Sequence, residues 1–385
     1  MEWLTEIGLT IGRAFIQPFI YLFFLLIWLS GYLRMKKDRK TTGARVSPFF
    51  YETRHTWSIS LIAGLLLSIL AILSGFIFTV PFALLVGAVM LLVGLAGRFS
   101  WLSAGYALTI ASLLLIVIQM YGEPYLPAFI MEYAQEIDVF FLPFLIGLLL
   151  LIEACHLWRI RSEDSFPEYI KSVRGKRIGQ HRIKKITLIP ILTLLPGGWI
   201  EPFADWWPLI PIGEQSYALI LVPYLLGFEY VVKTSLPQTA GKWLGNRHLW
   251  LALVVLLLSA GSYYIDWVGY IALAVALFGK EVIYYFLRRQ EKKQRMYFQP
   301  HEQHLLVLGI LADTPAVDLG LVPGEQIIKV NDQNVSTEDE FYQVINQNRA
   351  YCKLSIKDLD GEIRFAQRAL YDGDHYKLGI LFVSQ

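Results

Sequence analysis

Long apolar stretches separated by short polar segments fill the first 287 positions, after which the pattern changes to brief alternating runs punctuated by turn residues. A helix needs about 20 mostly apolar residues to cross a hydrocarbon core. The spacing predicts such spans at 15–33, 58–78, 81–97, 102–121, 139–158, 216–232, 249–264 and 267–287. A ninth stretch, 186–200, is short and interrupted by Pro190, Pro196 and Gly197, so it reads as a crossing or as a re-entrant segment. The expected fold class is an all-α polytopic transmembrane region of eight or nine helices over 1–287, followed by a basic linker over 288–303 and a small α+β domain over 304–385.

Charge segregates with this pattern. The polar segments 34–56, 159–185, 233–248 and 288–295 carry seven, nine, three and five Lys or Arg. Those at 122–138 and 201–215 carry four and three acidic residues and no basic one. Cytoplasmic loops retain Lys and Arg, so the basic loops and the tail are expected on the cytoplasmic side and the N-terminus outside, with Arg13 opposing. Trp158, Trp206, Trp207 and Trp267 fall at expected span ends, where amphipathic rings favour the headgroup layer. Basic clusters beside spans also attract anionic membrane lipid. Segment 159–185 is longer than most connections, which leaves a docking role open to it.

Composition narrows the function. Only 17% of the 385 residues are charged, 55% are hydrophobic and the mean hydropathy is +0.46, which excludes an ordinary soluble enzyme. Split at Pro300, the net charge is +8 before and −6 after, so a nucleic-acid-binding tail is disfavoured. Cys155 and Cys352 are the only cysteines and imply neither a disulfide framework nor a zinc site. Glu2 and Glu6 stand where a secretory signal would be basic, and no small-residue cleavage site follows, so the first span is expected to be retained.

Glu153, Glu229, Lys280 and Glu281 fall within or near the ends of spans, where an ionisable side chain is a functional candidate by default. Each lies close enough to a loop for snorkelling or local pairing to explain it. Transport or proton relay therefore stands as an alternative. Intramembrane proteolysis would need H-E-x-x-H or a G-x-S-x-G elbow. The nearest string, His301-Glu302-Gln303-His304, has the wrong spacing and lies in the linker, so no catalytic residue, metal site or cofactor is expected.

The tail reads as strand, short helix, strand, helix and three more strands. Residues 305–311 form the first strand. Thr314 and Pro315 open a short helix that Gly320 ends, 326–330 is a second strand, and Ser336 caps a helix running to about Gln347. Residues 352–357 and 362–370 flank the hairpin signal Asp360-Gly361, and 376–383 makes the last strand. The strings Ala312-Asp313-Thr314-Pro315-Ala316, Gly320-Leu321-Val322-Pro323-Gly324-Glu325 and Ile327 to Val335 resemble bacterial PDZ domains over about 80 residues, with Glu325 replacing the usual Asp and Asn331-Asp332 the usual Asn-Gly. The resemblance implies a peptide groove in which a partner strand joins the sheet edge and backbone N–H groups hold its C-terminal carboxylate. Leu378, Gly379 and Ile380 resemble the carboxylate loop; Phe341, Val344 and Ile345 share one helix face, and Phe341 and Ile345 are candidates for the groove or for the core.

A polytopic N-terminal region, a basic first loop containing Arg34-Met35-Lys36-Lys37-Asp38-Arg39-Lys40 and one PDZ-like tail together resemble the MinJ-like family of cell-division topological determinants. That resemblance implies a non-enzymatic scaffold in the bacterial cell membrane, enriched at septum and poles. Its implied partners are a DivIVA-like scaffold, a MinD-like ATPase of the division inhibitor and late division proteins. A membrane protease or protease regulator carrying a PDZ domain, and a transporter with a regulatory tail, are the competing classes.

Overall fold

A computed structural model describes residues 2–383 except 43–48, 77–78, 98, 136–140, 172–174, 176, 203–206, 208–215, 302, 312–313, 349 and 372–377. The chain opens with α1 (Glu2–Ile16) and α2 (Pro18–Thr42), which part at Gln17 because Pro18 suits the first position of a new helix. Then follow α3 (Trp57–Ser74), α4 (Val80–Leu95), α5 (Ala107–Tyr121), α6 (Ala128–Gln135) and α7 (Phe141–Trp158). After a three-stranded sheet come α8 (Pro237–Ser262) and α9 (Trp267–Lys293). Among the described residues five helical stretches are long and apolar enough to cross a membrane: Phe19–Arg39, Trp57–Ser74, Phe141–Trp158, Pro237–Ser262 and Trp267–Lys293. This is a multi-pass membrane protein. Leu66, Leu257 and Phe278 stay well exposed on these helices, as side chains facing lipid tails can.

The all-α expectation fails in one place. Segments 186–200 and 216–232 are not helices: they belong to β2 (Arg177–Ile200) and β3 (Tyr217–Val232), which with β1 (Ser165–Lys171) form an antiparallel sheet of order β1-β2-β3. Pro190 lies opposite Pro223 in the ladder, and two prolines that would each break a helix interior are tolerated where no ladder N–H is needed from them. Strand edges cannot face lipid, and the surrounding helices satisfy these. Leu192 N–H donates to Ser68 Oγ of α3 at 2.8 Å. On β3, Leu219 C=O accepts from Thr10 Oγ1 at 2.9 Å and from Arg13 at 3.1 Å, both on α1. Gly64 lets α3 lie against the hairpin, since a Cβ there would come within 2.4 Å of the Pro190 carbonyl. Both strands contribute to the main core, through Ile183, Ile186, Ile189, Val222, Leu225 and Phe228 among others.

Segment 159–185, expected as a long basic loop, is likewise folded: it holds a short turn of helix, β1 and the start of β2.

The tail has its own core. β4 (Leu305–Ile310), a 3₁₀ turn (Pro315–Leu319), β5 (Gln326–Val330), β6 (Gln333–Asn334), α10 (Glu338–Gln347), β7 (Tyr351–Lys357), β8 (Ile363–Ala369) and β9 (Ile380–Val383) follow in order. The sheet runs β8-β7-β5-β4-β9, with β6 on β5. Leu305, Val307, Ile327, Phe341, Leu354 and Phe382 form a cluster separate from that of the helices. Thr314 occupies the N-cap position of the 3₁₀ turn, its hydroxyl donating back to Leu311 C=O instead of capping an N–H, and Gly320 ends the turn in the left-handed region, as the sequence implied. The cap of α10 is Thr337 rather than Ser336, because Thr337 accepts from Glu340 N–H while the Glu340 carboxylate reaches back, a complete capping box. Asn331 and Asp332 both have positive φ (47° and 65°), the requirement of a tight hairpin turn, which Asn and Asp meet better than most residues. The last strand begins at Ile380; part of its expected range, 376–377, lies outside the described residues, as do Ala312 and Asp313.

Candidate functional site

Strand β9 ends the tail sheet, paired on one side with β4 through Ile310 and Ile380 and through Leu306 and Val383. Its alternating side chains serve two masters. Ile380 and Phe382 point into the tail core, where Phe382 meets the Phe341 ring edge to face at 4.8 Å. Leu381 and Val383 point the other way, into a small apolar seam with Leu306, Leu308, Phe298, Tyr169 and Leu236. That seam binds the tail to β1, to the start of α8 and to the linker. It is reinforced by backbone bonds from Gly179 N–H to Phe298 C=O and from Tyr297 N–H to Lys233 C=O, each 2.8 Å.

The structure brings the five residues singled out in the tail together. Leu378, Ile380, Phe341 and Ile345 are all buried in the tail core, so Phe341 and Ile345 fix α10 against β9 with their side chains. Gly379 has φ +86°, and a Cβ there would lie 2.1 Å from Thr314 Oγ1. The close approach is therefore made by the tail's own 3₁₀ turn. Leu378 C=O accepts from Ala316 N–H and Gly379 C=O from Leu311 N–H, both at 2.8 Å, which holds this turn against the start of β9, next to the strip between α10 and β9 where the groove was expected. Near that strip stands Tyr169 of β1, whose hydroxyl donates to Phe382 C=O at 2.9 Å. Arg177 lies over the Tyr169 ring, 3.6 Å from its centre.

Around the base of Tyr169 the hairpin carries a charge network. Glu168 accepts from Arg182 and Lys37, at 2.8 and 2.7 Å, and from Gln180; Arg182 also pairs with Glu229. Burial alone would raise the Glu168 carboxyl, but Arg182 and Lys37 hold it down at about 2. Lys185 pairs with Asp164 at 2.7 Å. Burial holds His181, whose ring lies tilted against Phe298, at about 3 and hence neutral, against the opposing pull of Glu168. Glu229, expected to snorkel, is thus a member of a network that spans all three strands. The free thiol Cys352 is enclosed in the tail core, where burial raises it to about 12.

A second cluster lies among the helices. Lys280 of α9 donates to Glu153 of α7 at 2.7 Å and lies 2.8 Å from His248 Nε2 of α8 and 3.1 Å from the Tyr230 hydroxyl of β3. Ser103 donates to the other Glu153 oxygen at 2.5 Å. All five side chains are buried, so snorkelling does not describe Glu153 or Lys280: they pair across the bundle. Glu281 points elsewhere, accepting from Tyr106 at 2.9 Å. Sequence reasoning passed over Ser103, Tyr230 and His248; opposite charges in separate spans were the available signal for the pair. Among the described residues no group of three or more His, Cys, Asp or Glu is placed to hold a metal ion.

These features define a multi-pass membrane protein whose helices enclose a β-hairpin and whose separately cored tail docks on that hairpin. The chain belongs to the MinJ family of cell division topological determinants. It is 35% identical to "Cell division topological determinant MinJ" of Bacillus subtilis (strain 168) over all of this chain and 96% of that relative. It is 24% identical to "Probable cell division topological determinant MinJ" of Lacticaseibacillus paracasei and of Lacticaseibacillus casei (strain BD-II), over 93% of this chain and 92% of each. No family model matches the chain, and no solved structure matches it.

Proposed function

We propose that the protein is a non-enzymatic membrane scaffold for division-site selection, in which the helical region anchors a PDZ-like tail on the cytoplasmic side and the tail recruits proteins. The partners are a DivIVA-like polar scaffold, a MinD-like ATPase and division proteins, with anionic membrane lipid as a further contact. Recruitment uses strand addition beside β9, with the backbone of Leu378, Gly379 and Ile380 at the end of the groove and Phe341 and Ile345 setting its width from the core. The observation that carries this reading is the tail's own hydrophobic core, built from β4 to β9 and distinct from that of the helices, in a chain related over its whole length to division determinants.

The test is imaging of a fluorescent fusion in dividing cells, with and without residues 304–385. Septal and polar enrichment that depends on the tail is expected. A uniform membrane signal from the intact protein would remove the scaffold reading.

A further inference from the structure

The end of the helical bundle from which the tail emerges is rich in cations, and several of them are committed to ion pairs. Arg34 pairs with Glu52, Lys37 with Glu168, Arg54 with Glu163, Arg182 with Glu168 and Glu229, and Lys185 with Asp164. One place differs. Between the first turns of α8 and the last turns of α9 lies an open cavity of about 380 Å³ lined by Trp243, Arg247, Phe286, Arg289, Gln290 and Lys293. Three of its six lining residues are cations and none is acidic. Among the described residues Arg247, Arg289 and Lys293 take part in no ion pair.

Helical spacing explains how the two faces meet. Trp243 and Arg247 are four apart on α8, and Phe286, Arg289 or Gln290, and Lys293 recur at three, four and seven on α9, so each helix presents one stripe. Arg247 lies over the Trp243 ring, 5.2 Å from its centre, which fixes the guanidinium at the rim. The apolar part of α9 ends at Leu287 and that of α8 begins near Leu249, so Arg247 and Arg289 stand just beyond the hydrocarbon and Lys293 farther out, while exposed Phe286 and Trp250 reach back into it. A groove with cations beside the end of the hydrocarbon and an exposed aromatic ring, Phe286, on its apolar side matches one amphiphile: a phosphate on a glycerol carrying acyl chains.

We propose that this groove is a binding site for the headgroup of an anionic phospholipid in the leaflet on the tail side, with Arg247, Arg289 and Lys293 on the phosphate, Trp243 holding the Arg247 guanidinium in place, and Phe286 against the upper acyl chains. The site does not depend on the tail's peptide groove. Each cation near an anionic surface contributes roughly a fivefold factor to binding, so loss of two should weaken retention at least tenfold.

The full-length protein, purified in detergent and supplied with phosphatidylglycerol or phosphatidylcholine, is examined by native mass spectrometry for retained lipid. The wild type is expected to keep phosphatidylglycerol and lose phosphatidylcholine. Arg247→Gln with Arg289→Gln should lower phosphatidylglycerol retention at least tenfold, and Lys293→Glu alone severalfold. Lys292→Gln with Arg295→Gln removes equal charge at the same end outside the groove and should leave retention within twofold of wild type. Equal loss in that control, or undiminished retention in both groove variants, overturns the site. Soluble glycerol phosphate at millimolar concentration should not displace the lipid; displacement would assign the groove to a free phosphate compound and overturn the lipid assignment. If the double variant melts earlier than wild type in phosphatidylcholine, Lys293→Glu, on the exposed last turn of α9, decides the matter.

Discussion

Lys280 and Glu153 stand 127 residues apart in the chain and 2.7 Å apart in the fold, and both are buried. Removing one partner of a buried pair leaves a bare charge that typically costs about 3–5 kcal/mol, whereas replacing both by neutral groups of similar shape costs far less. Lys280→Met should therefore lower the melting temperature of the detergent-purified protein sharply, and adding Glu153→Gln should restore most of it. If the double variant were also to keep septal enrichment, the pair would be a structural lock and the transport class would lose its main support. Gly379→Val is expected to unfold the tail through collision with Thr314, so its loss of partners would report folding rather than recognition; near-wild-type melting of this variant would contradict the geometry. Among these residues the sequence marked Glu153, Lys280 and Gly379 as unusual by type and place. It could not show who meets whom, because pairing across 127 residues is a property of the bundle and leaves no local pattern.

At the scale of elements the hairpin β2–β3 is the main departure from expectation. A continuous apolar run is equally compatible with a buried strand and a buried helix, and length favoured the helix for 216–232. The signals that favoured strands were Pro190, Pro196 and Pro223 together with the Ile-, Val- and Tyr-rich composition. The alternation of basic and acidic loops survives the correction, since a hairpin returns the chain to the side it left just as two helices do. Within the tail the elements were legible because turn residues punctuate them: Thr314, Pro315, Gly320 and Asp360-Gly361 each act within a few residues of where they stand. Ser68→Ala removes the acceptor of the Leu192 N–H in an apolar setting and should cost about 1–3 kcal/mol by thermal melting. The β1–β2 corner should also be sensitive to acid. His181 is held neutral at about 3, so its contribution is complete above its unfolded value near 6.5 and erodes as the pH falls below it; Glu168, held at about 2, adds a loss below about 4.5. Protection of the tail seam against proteolysis should decline from pH 7 to 4, and His181→Phe should remove the upper part of that decline.

For the molecule as a whole, orientation is the first thing to establish. With Cys155 and Cys352 replaced, a cysteine at exposed Tyr125 should react with an impermeant reagent on intact cells and one at Asp360 should stay silent; strong labelling at Asp360 would place the tail outside and away from any cytoplasmic partner. The bond from Tyr169 to the Phe382 carbonyl then acquires a meaning for affinity. An incoming strand needs the outer edge of β9, and one acceptor on that edge is already lent to a neighbour tethered in the same chain. Such a tethered rival competes at an effective concentration that few free ligands match, so under the proposed strand addition only partners that bind strongly or arrive in clustered form would be captured. Under that proposal, Tyr169→Phe withdraws the rival's hydrogen bond and should tighten capture of a tail-binding partner severalfold in full-length pull-downs, so that weaker, unclustered strands would be captured as well.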